Sequence, residues 1–277
     1  MRWYEAVFLG ILQGLSEFLP ISSSGHLALA QELFGVGLDT SERLGFGVLL
    51  HLATLISVIW VYRADVLGLA SGAWTLILKL FSGKIFKEKL GFYERLALCT
   101  AISTLVLIPA ALLDSLLASL SSSMLVIGVC LVLNSIILWF SDALGRQSKD
   151  LEKLSPKNAF AVGFCQLLAL LPGISRSGAT VTGMLSQDFD RQSAVKYSFI
   201  MSVPTILGAS VLELDSLFVN THSKKELMIF MLGAVFAAIT AVISMKLLTY
   251  ISKKSNFRAF SYYCAVLGIA VILRETL

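Results

Sequence analysis

Gln13-Gly14-Leu15-Ser16-Glu17-Phe18-Leu19-Pro20-Ile21-Ser22-Ser23-Ser24-Gly25-His26 breaks an otherwise apolar stretch, and Gln166-Leu167-Leu168-Ala169-Leu170-Leu171-Pro172-Gly173-Ile174-Ser175-Arg176-Ser177-Gly178-Ala179-Thr180 breaks another in much the same way. A shift of 153 lays Gly10 on Gly163, Gln13 on Gln166, Leu15 on Leu168, Ile21 on Ile174, Ser22 on Ser175, Ser24 on Ser177 and Gly25 on Gly178. Pro20 and Pro172 miss this register by one residue. The chain therefore reads as one membrane domain built from an internal repeat, about 1–150 and 151–277.

The surroundings of the breaks are apolar enough to name their solvent. Of 277 residues 56% are hydrophobic and 14% charged, with a mean hydropathy of +0.81. Soluble domains carry about 25% charged residues, so this inventory cannot cover a water-facing surface. Apolar runs at Leu44–Tyr62, Phe92–Leu113, Met124–Phe140, Tyr197–Leu212, Leu227–Tyr250 and Phe257–Leu273 are long enough to span. Val66–Leu80 reads as a short packed or interfacial helix. The fold class expected is an all-α polytopic membrane protein with about six transmembrane helices and two re-entrant hairpins.

Loops holding Lys84/Lys87/Lys89, Arg146/Lys149/Lys153/Lys157 and Lys253/Lys254/Arg258 are basic and belong on the cytoplasmic side. Asp114–Ser123 lacks Lys and Arg and belongs outside, and continuity puts Glu213–Glu226 there too. The alternation closes only if Tyr4–Leu33 and Ala159–Leu185 each enter and leave on one face, the first from outside and the second from the cytoplasm. Inverted repeats with broken helices place a polar site near the midplane, and irregular backbone at that depth must face protein or water. The two breaks should therefore meet across a wet pocket. The small net charge of +4 lies in these loops and, with no basic patch interleaved with aromatics, gives no nucleic-acid surface.

Each break puts Ser and Gly just before a helix restarts, where free N–H groups and the helix dipole favour anions. Arg176 adds a planar fork suited to phosphate oxygens; Glu17 and His26 add a carboxylate and an imidazole. Charge within a membrane segment is costly and points to function. Donors, Arg, Glu, His and Ser together are equipment for phosphoryl transfer. Blander roles exist: Glu17 as a structural partner of Arg176, His26 as a helix cap, the serines as partners for broken backbone. His51 reads as a packed, hydrogen-bonded residue rather than a catalytic one, Glu94 and Arg95 as solvated, and His222 as idle. Cys99, Cys130, Cys165 and Cys264 lie in apolar sequence without metal-ligand spacing and read as packing residues. No small-residue cleavage site follows the first apolar run, so no cleavable leader is expected there.

Gln13-x-x-x-Glu17, Pro20-Ile21-Ser22-Ser23-Ser24-Gly25-His26 and Pro172-Gly173-Ile174-Ser175-Arg176-Ser177-Gly178-Ala179-Thr180 resemble the undecaprenyl-diphosphate phosphatase, or bacitracin-resistance, family over essentially the whole chain. The resemblance implies a multi-pass enzyme of the cell membrane that removes the terminal phosphate of a polyprenyl diphosphate and recycles the lipid carrier for envelope glycans. It also implies a pocket facing outside, a divalent cation (Mg²⁺ or Ca²⁺) and a tendency to form homodimers. By position, Glu17, Ser22, Ser23, His26, Ser175, Arg176 and Thr180 match the family's active-site residues. Gln13 stands where a second Glu is common, which weakens a two-carboxylate metal site. Glu17 is then the candidate metal ligand, with the substrate diphosphate holding most of the ion, as is usual for Mg²⁺.

On this reading Glu17, Ser23, His26 and Arg176 carry the chemistry, and Ser22, Ser24, Gly25, Ser175, Ser177, Gly178 and Thr180 bind phosphate, while the lipid tail lies among membrane lipids. Ser23 or His26 attacks phosphorus, or His26 activates water; the sequence leaves all three open. The competing function is a lipid-phosphate or anion transporter using the same inverted-repeat pocket.

Overall fold

In lipid every backbone N–H and C=O needs an internal partner, which leaves an apolar chain little choice but helices. The computed structural model describes residues 1–36, 40–84, 87–144, 148–213, 224–254 and 256–277. Among these the helices are α1 (Trp3–Phe18), α2 (Ser23–Leu33), α3 (Thr40–Val61), α4 (Arg63–Phe81), α5 (Phe92–Leu105), α6 (Asp114–Ser121), α7 (Met124–Ser141), α8 (Pro156–Leu168), α9 (Arg176–Leu185), α10 (Arg191–Leu212), α11 (Lys224–Lys254) and α12 (Arg258–Thr276). Short 3₁₀ turns occupy Ile108–Leu113 and Leu151–Lys153. The described residues form no β-strand; one isolated bridge joins Lys149 and Phe189.

Among the described residues six helices are long and apolar enough to cross a bilayer: α3, α4, α7, α10, α11 and α12. Large apolar side chains such as Trp60, Leu67, Trp74, Phe81 and Val266 are exposed on the outer faces, an arrangement that water would not tolerate and lipid favours. The protein is a multi-pass α-helical membrane protein. The number of spans agrees with the sequence reading, but its membership does not. Val66–Leu80, read as short or interfacial, lies within the 19-residue helix α4. Phe92–Leu113, read as one span, is a 14-residue helix followed by a 3₁₀ turn. Pro109 lies in that turn, where it cannot donate to an α-helical ladder. Glu94 is not solvated: its side chain is 13% exposed and pairs with Lys79 at 2.9 Å, tying α4 to α5.

The arms of the two hairpins, α1 with α2 and α8 with α9, have 16, 11, 13 and 10 residues. At ~1.5 Å per residue none reaches across a ~30 Å hydrocarbon core. The first arm lies on α11 at very close range, because a Cβ on Gly10 or Gly14 would run into the carbonyl of Gly233 or Ala237. The second hairpin belongs to the largest apolar cluster, in which Val162, Met184, Leu185, Tyr197 and Phe199 are buried. Phe18, the last residue of α1, meets Phe199 edge-on at 5.4 Å and joins the first hairpin to that cluster. At the far end of α10, Asp142 accepts from Arg191 at 3.0 Å and from the Phe257 N–H at 2.8 Å. These contacts tie α7, α10 and α12 together beside the basic loops. Arg146 and His222 lie outside the described residues.

Candidate active site

The two breaks have different backbone solutions. After α1 the chain runs extended through Leu19 and turns at Ser22, whose φ of 74° is left-handed. A non-glycine residue held there costs about 1–3 kcal/mol, so something must hold it. Ser22 Oγ accepts from the Gly25 N–H at 3.4 Å as the N-cap of α2. Its carbonyl accepts from His26 Nδ1–H at 2.7 Å. After α8 the left-handed residue is Gly173, φ 106°. A side chain at Gly173 would also press on α7, its Cβ 2.7 Å from the Ile127 carbonyl oxygen. Ser175 then caps α9, accepting from the Gly178 N–H at 3.2 Å.

The breaks meet directly. The Ser177 and Ser175 hydroxyls donate to the Leu19 carbonyl at 3.1 and 3.5 Å. Asn134 of α7, fully buried, braces both: its Nδ2 donates to the Pro20 carbonyl at 3.0 Å and its Oδ1 accepts from the Ser175 N–H at 3.0 Å. Sequence reading passed over Asn134, although an amide inside the apolar span Met124–Ser141 was the available signal. Asn134→Leu removes the brace, orphans the Ser175 N–H at about 1–3 kcal/mol and leaves the Pro20 carbonyl only the weak Cys264 thiol contact at 4.0 Å. We expect a lower melting temperature in detergent and loss of most activity; an unchanged melting temperature would refute the bracing role.

Glu17 lies at the centre of the site with its side chain 5% exposed. Oε1 accepts from Arg176 Nη2 at 2.8 Å. Oε2 accepts from Ser23 Oγ at 2.7 Å and Gln13 Nε2 at 2.9 Å, with His51 Nδ1 at 3.5 Å. Arg176 is only half used, for its buried Nη1 has no partner among the described residues. Beside these groups lies a cavity of about 210 Å³, lined by Glu17, Ser22, Ser23, Ser24, His51, Ser175 and Arg176 together with the α10 face from Thr205 to Glu213. Ligand pockets usually exceed ~300 Å³, so this one suits a compact polar group and not a lipid tail.

Of the residues expected at the site, Glu17, Ser22, Ser23, Ser24, Ser175 and Arg176 line the cavity; Gly25, His26, Ser177, Gly178 and Thr180 do not. His26 is 6% exposed and both ring nitrogens are engaged: Nδ1–H donates to Ser22 and Nε2 accepts from the Tyr263 hydroxyl at 2.7 Å. Thr180 is turned toward α10, where it meets Ser198 at 2.7 Å. His51, read as a packing residue, is in the cavity wall. The pocket therefore reaches the two breaks unequally. In a background without the four natural cysteines, Ser24→Cys should react with a small hydrophilic thiol reagent and Ser177→Cys should be protected; equal reactivity at both would contradict this geometry.

Fold and site together define a polytopic helical membrane protein with an anion-sized cavity between two facing helix breaks. Residues 6–270 match the family model described as bacitracin resistance protein BacA, and the chain belongs to that family. It is similar to proteins named undecaprenyl-diphosphatase from Halothermothrix orenii, 36% identical over 273 residues and covering 99% of this chain and 98% of the relative, and from Alkaliphilus metalliredigens, 35% identical over 277 residues with the same coverages. A third, from Methanobrevibacter smithii, is 36% identical over 275 residues, covering 97% of this chain and 96% of the relative.

Proposed function

We propose that the protein is a membrane phosphatase that hydrolyses undecaprenyl or a related polyprenyl diphosphate to the monophosphate and phosphate, returning the lipid carrier to envelope glycan synthesis. One observation carries the assignment of the site: Arg176, in the wall of an anion-sized cavity, reaches across from the second break to Glu17 with one nitrogen, and its buried Nη1 has no partner among the described residues. The Arg176 guanidinium, the Ser24 hydroxyl and the amide ends of α2 and α9 hold the terminal phosphate.

Ser23 already donates to Glu17, the contact of a nucleophile with its base. As Ser23 Oγ bonds to the terminal phosphorus, its proton passes to Glu17, the bond to the bridging oxygen breaks, and polyprenyl monophosphate leaves. Water then hydrolyses the phosphoserine and releases phosphate. His26, engaged at both nitrogens, keeps Ser22 in its left-handed conformation and so aims Ser23.

Among the described residues no three His, Cys, Asp or Glu side chains gather to hold a metal. Glu17 and the unpartnered Oε1 of Gln13 are the oxygens this chain would offer a Mg²⁺ or Ca²⁺ ion, with the substrate's phosphates completing the shell. Such an ion, when bound, would neutralise diphosphate charge.

We further infer that the two hairpins are inverted repeats and that the cavity opens to the outside of the cell membrane. Its α10 wall runs from Thr205 to Glu213, toward the end of α10 remote from Asp142 and the basic loops. The names of the relatives lend nothing to a transporter, and that reading is set aside. The test is phosphate release from polyprenyl diphosphates by purified protein in detergent, where a transporter has no compartments to act between, with and without Mg²⁺ or Ca²⁺. No release under either condition overturns the assignment. In sealed right-side-out vesicles phosphate should appear outside first; appearance inside first reverses the orientation.

A further inference from the structure

His26 and His51 invert the roles their sequence settings suggest. The motif histidine is closed off, with both nitrogens bonded inside the protein. The histidine midway along α3 has a side chain 38% exposed and forms part of the cavity wall. Among the described residues only its Nδ1 has polar partners, Gln13 Nε2 at 3.1 Å and Glu17 Oε2 at 3.5 Å.

These neighbours decide where the ring carries its proton. Gln13 must present its NH₂ group to the Glu17 carboxylate 2.9 Å away, since the opposite orientation would set a carbonyl oxygen against a carboxylate oxygen. The same NH₂ group has a second hydrogen, and His51 Nδ1 lies in reach to accept it. An imidazole accepting at Nδ1 carries its hydrogen on Nε2. That N–H has no partner among the described residues, and an N–H in a cavity wall is a donor awaiting a ligand. His51 and Arg176 flank Glu17 on its two oxygens, so an anion seated over Ser23 lies between them.

We propose that His51 is a substrate-binding residue, whose Nε2–H donates to an oxygen of the terminal phosphate from the α3 side, opposite Arg176. This deepens the phosphatase assignment and rests on it for the identity of the ligand. A histidine whose work was structural would matter through Nδ1, its link to Gln13. One that binds phosphate matters through Nε2. Two substitutions separate these, because the amide nitrogen of Gln falls at the position of imidazole Nε2 and the amide of Asn at that of Nδ1.

The experiment compares wild type, His51→Gln and His51→Asn in detergent by kcat/KM for a polyprenyl diphosphate, by Kd for methylenediphosphonate, a non-hydrolysable diphosphate analogue, and by melting temperature. A hydrogen bond to a charged group corresponds to about tenfold or more. His51→Asn should therefore lose at least about tenfold in both kcat/KM and Kd, His51→Gln no more than about fivefold, and both should melt with wild type. The reverse order, Asn retained and Gln impaired, would make His51 a support for Gln13 and overturn the proposal, as would equal Kd values for the two variants. If wild type released no phosphate, the phosphatase assignment would fail by itself, and the methylenediphosphonate arm would still decide the role of His51.

Discussion

Arg176→Lys should lower phosphate release by at least about thirtyfold, roughly 2 kcal/mol of barrier. Charge is conserved in this change, so the loss isolates geometry. In the folded protein Nη2 serves Glu17 at 2.8 Å while Nη1 has no partner among the described residues. A planar fork can satisfy a carboxylate and a phosphate at once; an ammonium on a flexible stem must share one point between them. The measurement is kcat/KM on a polyprenyl diphosphate beside a melting curve. A fall of less than about threefold (~0.7 kcal/mol) would mean that Arg176 does not clamp phosphate.

Glu17→Gln should have the larger effect, lowering kcat by about 10²–10⁴ as expected for the loss of a general base. It should also destabilise the protein by about 3–5 kcal/mol, because Arg176 would keep its charge in a buried site without a counter-charge. The two effects can be told apart. Glu17→Gln combined with Arg176→Met removes both charges and should recover most of the melting temperature while activity stays lost. Retention of kcat within about tenfold in the single variant would exclude Glu17 as the base for Ser23. Failure of the double variant to regain stability would show that the ion pair is not what Glu17 contributes to folding.

Much of this was legible in the sequence because it is local. Too few charges for a watery surface, Pro and Gly interrupting apolar runs, Ser placed to cap the helix that follows, and the spacing that sets Ser22 on Ser175 are properties of neighbouring residues. They determined the membrane class, the two breaks, and Glu17, Ser23 and Arg176 as residues to watch. The assignment of spans was less secure for a related reason: Pro109 divides the segment after Phe92, whereas nothing divides Arg63–Phe81, and mean apolarity does not distinguish them.

What only the tertiary structure decided is which way each polar group faces. A helix apolar on every side carries no stripe to say which face is covered, so α7 could not announce that Asn134 joins the breaks, nor α3 that His51 opens into the cavity. His26 and Ser177 sit in the motifs yet do not line the cavity, since the one is claimed by Tyr263, 237 residues away, and the other by Leu19, 158 residues away. Local sequence sets where the chain breaks, but a hydrogen-bonding group is claimed by whichever partner packing brings within about 3 Å, and that partner comes from elsewhere in the chain.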